Sequence, residues 1–311
     1  RLGGVGCDVL ETLGGQSRNL LALVAPGSEQ AAAHAVAAHL LEGPLAQGAC
    51  MRLDLVPSGA PFLLELARLL PDAGAAVSVR DVSRAPYVPL PALWDDYVQS
   101  LGRRRRKVLG RAQRSLDRLH RDQVVRWLHG EEVPAGMEHL FRLHQERWAR
   151  EGIRGLFSDA EARQFHLDAA RSFDELGWLS LSTMLIDGRT VSAHLAVVLD
   201  GTAYLLRSGR DPSLALFSIG HLHELRLFRQ WISTGMREAD LLRGAEPYKF
   251  YWTRNYRTYV QMIAAVRPWP PRLVLRAVRG WLWLVMFVQA RHTPRELLAY
   301  VALRRNEARE R

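Results

Sequence analysis

Apolar residues along this chain come in short blocks broken by glycine and proline, a pattern of alternating strands and helices. Asn19-Leu-Leu-Ala-Leu-Val24 is an apolar run closed by Pro26-Gly27 and predicts a buried strand and turn. Ser28 stands as the cap of an alanine-rich helix over Glu29 to Leu41. Met51 to Val56 predicts a strand, Pro61 to Leu70 a helix, and Ala76 to Val82 a third strand. Ala85-Pro-Tyr-Val-Pro-Leu-Pro91 carries three prolines, each without a backbone donor, and reads as an irregular connector.

A helix follows from Ala92, continuing or restarting after Gly102. Arg104, Lys107, Arg111, Arg114, Arg118 and Arg121 fall on one face at three- and four-residue spacing, with Val108, Ala112, Ser115 and Leu119 opposite. That basic face reads either as a solvated surface or as a binding face for nucleic acid or a phosphorylated substrate. Gln123 to Leu128 predicts a strand, Ala135 to Glu151 an amphipathic helix, and Ser158 the cap of a helix stopped by Gly177. Three strands follow, Trp178 to Ile186, Thr190 to Leu199 and Thr202 to Arg207. Their breaks, Asp187-Gly188 and Asp200-Gly201, are strong hairpin signals and predict an antiparallel meander. Beyond Gly209-Arg-Asp-Pro212 come a helix, Ser218 to Gly235, a strand, Glu238 to Leu242, a turn around Lys249, and a last strand, Tyr256 to Val266. Pro268, Pro270 and Pro271 end the domain. The order is mixed α/β (α+β) rather than doubly wound. With no GxGxxG and no phosphate loop, dinucleotide dehydrogenases and phosphate-loop NTPases are poor candidates.

Composition adds the charge. The 311 residues are 48% apolar and 24% charged, as in a folded soluble protein, with a net charge of +10. From Arg272 onward nine arginines against three glutamates supply +6 of it. Cys7 and Cys50 have no metal-like spacing, so a reduced cytoplasmic protein without a metal is expected. No signal peptide is visible, and the opening Arg1 leaves the native N-terminus open. Gly280 to Ala290 is far short of the roughly twenty residues that span a bilayer. Residues 272–290, with Trp281 and Trp283 among arginines, read either as a peripheral membrane contact on the inner face or as a helix packed on the domain.

Two places carry candidate chemistry. Phe217-Ser-Ile-Gly220 puts small residues at a helix start, where free N–H groups bind phosphate; an ordinary serine cap is the other reading. The second is the turn with Asp240, Arg243, Glu246, Tyr248 and Lys249. Lys249 is one of two lysines against forty arginines, and lysine is a compact point charge where arginine is a planar fork. A closed ion-pair network explains these residues structurally. Alternatively Tyr248 and Lys249 donate to a developing oxyanion while a buried Glu246 acts as base. His194, mid-strand, reads as a satisfied core histidine before a base. His221 and His223, two apart on a helix, point to different faces and argue against a metal site.

Asp187-Gly-Arg-Thr-Val-Ser-Ala-His194, Ser208-Gly-Arg-Asp-Pro212, Ser218-Ile-Gly220 and Asp240-Leu-Leu-Arg-Gly-Ala-Glu-Pro-Tyr-Lys249 together resemble bacterial GNAT-type acyltransferases of the CelD/BioF2-like group. These are relatives of the FemAB peptidoglycan bridge-forming aminoacyltransferases. Upstream, Leu90-Pro-Ala-Leu-Trp-Asp-Asp-Tyr97 extends the resemblance to roughly Tyr87 to Trp252. It implies a GNAT-like acyl-CoA N-acyltransferase fold in tandem. A degenerate unit over 1–90 and a basic connecting helix over 91–122 would precede a catalytic domain over 123–268, with a tail over 269–311. It further implies acetyl-CoA or another acyl-CoA as donor, its pantetheine along Thr202 to Arg207 (Leu205 and Arg207 included) and its phosphates at Ser218, Ile219 and Gly220. In the FemAB branch the donor is an aminoacyl-tRNA, and a lysine matching Lys249 is tied to the acyl-transfer centre.

The expected reaction is attack of an acceptor amine on a thioester or aminoacyl ester. The acceptor would be a small molecule or saccharide, as in cell-envelope or polysaccharide metabolism. Lys249 and Tyr248 would steady the intermediate, Glu246 or Asp240 assist deprotonation, and Arg243 organise those carboxylates. The rival expectation is a non-catalytic protein that binds anionic polymer or a membrane surface.

Overall fold

A computed structural model of the chain describes residues 8–11, 24–42, 49–119 and 122–265. Cys7, most of the run at 19–24, Arg121 and the whole tail over 269–311 lie outside the described residues. The chain divides into two compact units, one within Arg1–Arg84 and Arg257–Arg311, the other Ala85–Tyr256.

The first unit takes β1 (Asp8–Glu11), α1 (Glu29–Glu42), β2 (Ala49–Pro57), α2 (Pro61–Asp72), the start of β3 (Ala76–Pro89) and most of β9 (Tyr256–Ala265). β2 pairs parallel with β1 and antiparallel with β9. Ala33, Ala37 and Leu40 of α1 and Leu63, Leu66 and Leu70 of α2 bury against Met51, Val260, Met262 and Ala264. The three- and four-residue spacing of those apolar side chains is what gives each helix one buried stripe.

β3 runs straight through Pro86 and Pro89, where the proline count predicts a connector. The ladder tolerates them. Pro86 serves as acceptor only, taking Leu241 N–H at 3.0 Å, while Tyr87 N–H turns to Asn255 O and Leu90 N–H to Arg237 O.

The second unit is built on six strands in the order β3-β8-β7-β6-β5-β4. The remaining elements are α3 (Trp94–Ser100), α4 (Arg103–Leu119), β4 (Gln123–Leu128), α5 (Val133–Arg150), α6 (Ala160–Glu175), β5 (Leu179–Ile186), β6 (Arg189–Leu199), β7 (Thr202–Arg210), α7 (Ile219–Ser233), β8 (Glu238–Asp240) and α8 (Pro247–Phe250). The predicted meander is β5-β6-β7, its turns at Asp187-Gly188 and Asp200-Gly201 all with positive φ as two-residue hairpins require. α6 is capped by Asp159, whose carboxylate accepts Glu161 N–H, rather than by Ser158. On α4 the buried stripe is Leu109, Ala112 and Leu116, one position on from the expected Val108 and Ser115; Arg104, Lys107, Arg111, Arg114 and Arg118 are exposed as read. One sheet face packs Leu109 and Leu116 of α4 with Leu222, Leu227, Phe228 and Trp231 of α7. The other packs Met137, Leu140 and Leu143 of α5 with Leu181, Ala193 and Leu195. Among the described residues no helix is long and apolar enough to cross a membrane.

One local feature positions the site. β7 and β8 are parallel, joined through α7, and pair only at Thr202–Glu238, Ala203–Ala239 and Tyr204–Asp240. β7 then continues to Arg210 while the chain beyond β8 turns at Leu242, whose φ is 58°. The register of β7 against β6 slips in the same region, Leu195 facing Arg207 but Ala196 facing Leu205. Such a bulge adds twist and turns the strand aside. The two strands therefore part.

Gly209 lies on the departing end of β7, under α5. A Cβ there would sit 2.7 Å from His144 N and 3.0 Å from Leu140 O, both backbone atoms that cannot yield. Gly209→Ala is expected to lower stability by about 1–3 kcal/mol, read as a shift in the urea midpoint. A midpoint equal to wild type would show that α5 is not seated on this strand end.

Candidate active site

The gap between the parted strands is a narrow cleft. It is lined by His194 of β6, Ser208, Gly209 and Arg210 of β7, Gly220 and Glu224 of α7, Arg147 of α5 and Tyr248 of α8.

The first turn of α7 forms one wall. Ser218 precedes it in the left-handed region, φ 51°, with no capping bond from its side chain. The expected serine cap is therefore absent, because a left-handed N-cap residue does not aim its hydroxyl at the first-turn amides. The N–H groups of Ile219, Gly220 and His221 have no acceptor within the helix. Gly220 makes room for Arg210, whose Cδ would lie 3.3 Å from a Cβ at that position. Burial, then the neighbouring Arg147, disfavour the charge on Arg210 and pull its pKa down. Among the described residues no carboxylate comes within ion-pair distance of it. Free amides, a helix N-terminus and a half-buried guanidinium with no ion-pair partner among the described residues together form a seat for an anion.

One turn further along α7 stands Glu224, 4% exposed. Trp252 Nε1 donates to its Oε2 at 2.6 Å. Burial raises its carboxyl to about 7, against the lowering effects of that bond and of Arg210 and Arg147. Trp252 is held edge-on to Phe228 at 5.0 Å, and Phe228 in turn meets Tyr97 at 5.7 Å. Nothing in the immediate sequence marks Glu224. Its signal is positional, since it shares the apolar face of α7 four residues before Phe228 and seven before Trp231. Arg210 stands in sequence only within the Ser208-Gly-Arg-Asp-Pro212 motif and Arg147 only on an amphipathic helix; their meeting brings together a strand end and a helix distant in sequence.

Tyr248 faces the cleft, half-buried, and burial together with Glu224 and Glu246 pushes its phenol above the ordinary range. It stays protonated through neutral pH. His223 is fully buried and bonds Ser182 Oγ at 3.1 Å and Ser192 Oγ at 3.0 Å. His194 packs edge-on to it at 4.5 Å and, unlike the satisfied core histidine expected, has no partner at Nδ1 among the described residues. Burial drops its pKa to about 3, so the ring is neutral. His221 points elsewhere and stacks on Tyr251 at 4.3 Å. Among the described residues no three His, Cys, Asp or Glu side chains form a metal-binding group.

The other predicted residues do assemble, around the turn that follows β8. Lys249 is buried, and its Nζ donates to Leu242 O at 3.1 Å and Arg243 O at 2.9 Å while pairing with Glu246 Oε2 at 2.9 Å. Asp240 Oδ1 accepts Leu242 N–H at 2.7 Å. Of these five, Tyr248 lines the cleft; Asp240, Arg243, Glu246 and Lys249 close the turn that delivers it. Of the residues expected at the donor, Gly220 lines the cleft and Ser218 flanks it. Leu205 of β7 and Ile219 at the start of α7 are core residues, and Arg207 Nη1 donates to Leu206 O.

Residues 103–250 match the model of the family described as Acetyltransferase (GNAT) domain. Among solved structures, the C-terminal domain of a candidate lysylphosphatidylglycerol synthetase from Agrobacterium fabrum superposes with a TM-score of 0.50 at 12% identity, covering 79% of this chain and 76% of that one. L-PGS from Bacillus licheniformis gives 0.50 at 12% identity over 78% and 74%. FemX gives 0.49 at 13% identity over 73% of each chain. No curated protein sequence matches. A strand that bulges and leaves its parallel neighbour, with a helix N-terminus at the gap, is what the matched segment contains. The segment that matches the GNAT acetyltransferase domain, residues 103–250, holds every residue that lines the cleft and supports reading the chain as an acyltransferase.

Proposed function

We propose that the cleft moves an acyl group from an acyl-CoA thioester, acetyl-CoA being the simplest, to an amine. One observation carries this reading: a buried carboxyl with a pKa near 7, Glu224, one helical turn from the anion seat at Arg210 and Gly220. The seat suits the diphosphate of the donor. The same strand end, Ser208 to Arg210, lies where β7 has left β8 and its edge is open to the donor's amide-bearing arm.

In the transfer, the amine nitrogen attacks the thioester carbonyl and the carbon–sulfur bond breaks. Glu224, ionised above pH 7, takes the proton that the amine sheds; Tyr248, still a phenol, gives its proton to the departing thiolate and regains one from Glu224, so that both groups end as they began. A group titrating near the working pH is well matched to such exchange and typically contributes about 10²–10⁴ in rate. Lys249 enters as a positioning residue. Its ammonium ties the carbonyls of Leu242 and Arg243 and so fixes the helical turn that carries Tyr248.

A second reading keeps the same chemistry with an aminoacyl ester of tRNA as donor. The likeness to the A. fabrum and B. licheniformis structures favours it, as do the exposed arginines of α4. Calorimetry separates the two. The acyl-CoA reading expects coenzyme A to bind wild type and to bind Arg210→Ala at least tenfold more weakly. Binding of charged tRNA without coenzyme A would transfer the case to the second reading.

Glu224→Gln retains the acceptor for Trp252 and removes the titration. Its rate is expected to fall about 10²–10⁴. Its stability should move the other way. A carboxyl whose folded pKa is raised stabilises fully below its unfolded value near 4.5, and that contribution is lost as pH climbs through 7. At pH 8 the amide is therefore expected to exceed wild type by about 3 kcal/mol, and to show no such advantage at pH 4. An amide variant that is active, or less stable than wild type at pH 8, would remove Glu224 from this role.

Tyr248→Phe and Lys249→Met divide the turn's two functions. The first is expected to slow turnover by about 10²–10³ with an unchanged melting temperature. The second leaves two carbonyls unpaired and is expected to cost about 1–3 kcal/mol of stability. Full loss of rate in Lys249→Met with unchanged melting would instead put the ammonium in the chemistry.

A further inference from the structure

A second concavity of the same unit takes no part in the scheme above. It is a groove between the start of α4 and the segment after α8, with Arg103, Arg104, Arg105 and Arg254 around it and Asp96 as the carboxylate on its wall. Arg103, Arg104 and Arg254 are exposed and, among the described residues, have no carboxylate within ion-pair distance. Arg105 reaches only carbonyls, Trp252 O at 3.4 Å and Phe250 O at 3.5 Å, and leans over the Tyr251 ring at 5.7 Å.

The placement of these charges is unfavourable for the fold. α4 opens on four successive arginines, Arg103 to Arg106, with no acidic residue in its first turn. That is the helix end whose free N–H groups already carry positive potential, where acidic residues are preferred. Two buried hydroxyls on the same groove add a second observation. Tyr97, 2% exposed, has no hydrogen-bond partner for its OH, and neither does the OH of Tyr251. Exposed arginines without a carboxylate partner, with two orphaned hydroxyls buried just behind the groove wall, describe a site for oxygen acceptors on an anion.

One side chain links the groove to the cleft. Trp252, on its wall, donates to Glu224, and the Tyr97 hydroxyl lies in the field of both Glu224 and Arg105. The anion seat at Arg210 serves Glu224 from the α7 side, which leaves this groove to the other substrate.

We propose that the groove holds a phosphate carried by the acceptor, so that the substrate is a phosphate-bearing amine. This rests on the acyl-transfer reading and narrows its acceptor. Such a phosphate comes either from a free phosphoamine or from a lipid headgroup.

The test uses the full chain with coenzyme A already saturating, so that the α7 seat is filled. Calorimetry with phosphoethanolamine against ethanolamine probes the free form, and co-sedimentation with phosphatidylethanolamine vesicles probes the headgroup. One of the two phosphate forms is expected to bind at least tenfold more tightly than ethanolamine. That binding is expected to weaken with salt and to fall tenfold or more in Arg104→Gln/Arg254→Gln, at unchanged affinity for coenzyme A. Both residues are exposed, so the variant is expected to melt with wild type. Neither form binding, or binding unaffected by the double variant, overturns the proposal. Loss of coenzyme A affinity in that variant also overturns it, by assigning the groove to the donor. Failure of wild type to bind coenzyme A at all would count against the acyl-CoA donor alone, since the groove's own measurement stands without it.

Discussion

Three residue pairs hold β7 and β8 together, and the site exists because there is no fourth. A parallel pair joined by a crossover helix ordinarily buries the edges of both strands along their length. Here the bulge opposite Leu195 turns β7 outward, and the left-handed turn at Leu242 takes the chain away from it. The crossover helix α7 then begins at the opening, not over a closed sheet. Its free amides, Arg210 and Glu224 all face one cleft as a consequence of that single divergence.

The remaining parts act to keep the opening rigid. Gly209 lets α5 sit directly on the strand end, which brings Arg147 beside Arg210. Trp252 and Tyr97 approach Glu224 from outside α7, and the bond from Trp252 limits what burial of that carboxyl costs. Lys249 does comparable work in the turn, since two carbonyls left by a chain reversal need a donor that reaches both. A lysine ammonium satisfies them from one point, which a planar guanidinium does less readily. The site thus holds two disfavoured ionisations, the raised Glu224 carboxyl and the Arg210 guanidinium beside Arg147, on elements whose packing prevents relaxation. Under the proposed transfer, both would be relieved when an anion fills the seat and a proton leaves the amine.

Much of the second unit was legible because its signals are local. Asp-Gly pairs fix the two hairpins, Gly177 ends α6, and Ser218-Ile-Gly220 marks where α7 starts. Lys249 was conspicuous by composition, and its neighbours do form one cluster. Where local rules mislead, long-range pairing is the reason. Prolines 86 and 89 suggest a connector, yet the antiparallel partner needs no N–H from them. Val108 and Leu109 are both plausible on the inner face of α4, and only the packing of α7 selects Leu109. Glu224 is the largest omission. A glutamate on a helix reads as solvated, and its burial is decided by Trp252 and Tyr97, which arrive from other parts of the chain. The parting of β7 and β8 is likewise invisible in the residues of either strand.

Proton exchange by Glu224 is the step on which the proposed transfer turns. The pH dependence of kcat/KM, recorded for wild type and Glu224→Gln with the same amine, tests it most directly. An ascending limb with a midpoint near 7 in wild type, missing from the residual activity of the amide, is the predicted result. The same limb at the same midpoint in both proteins would contradict it.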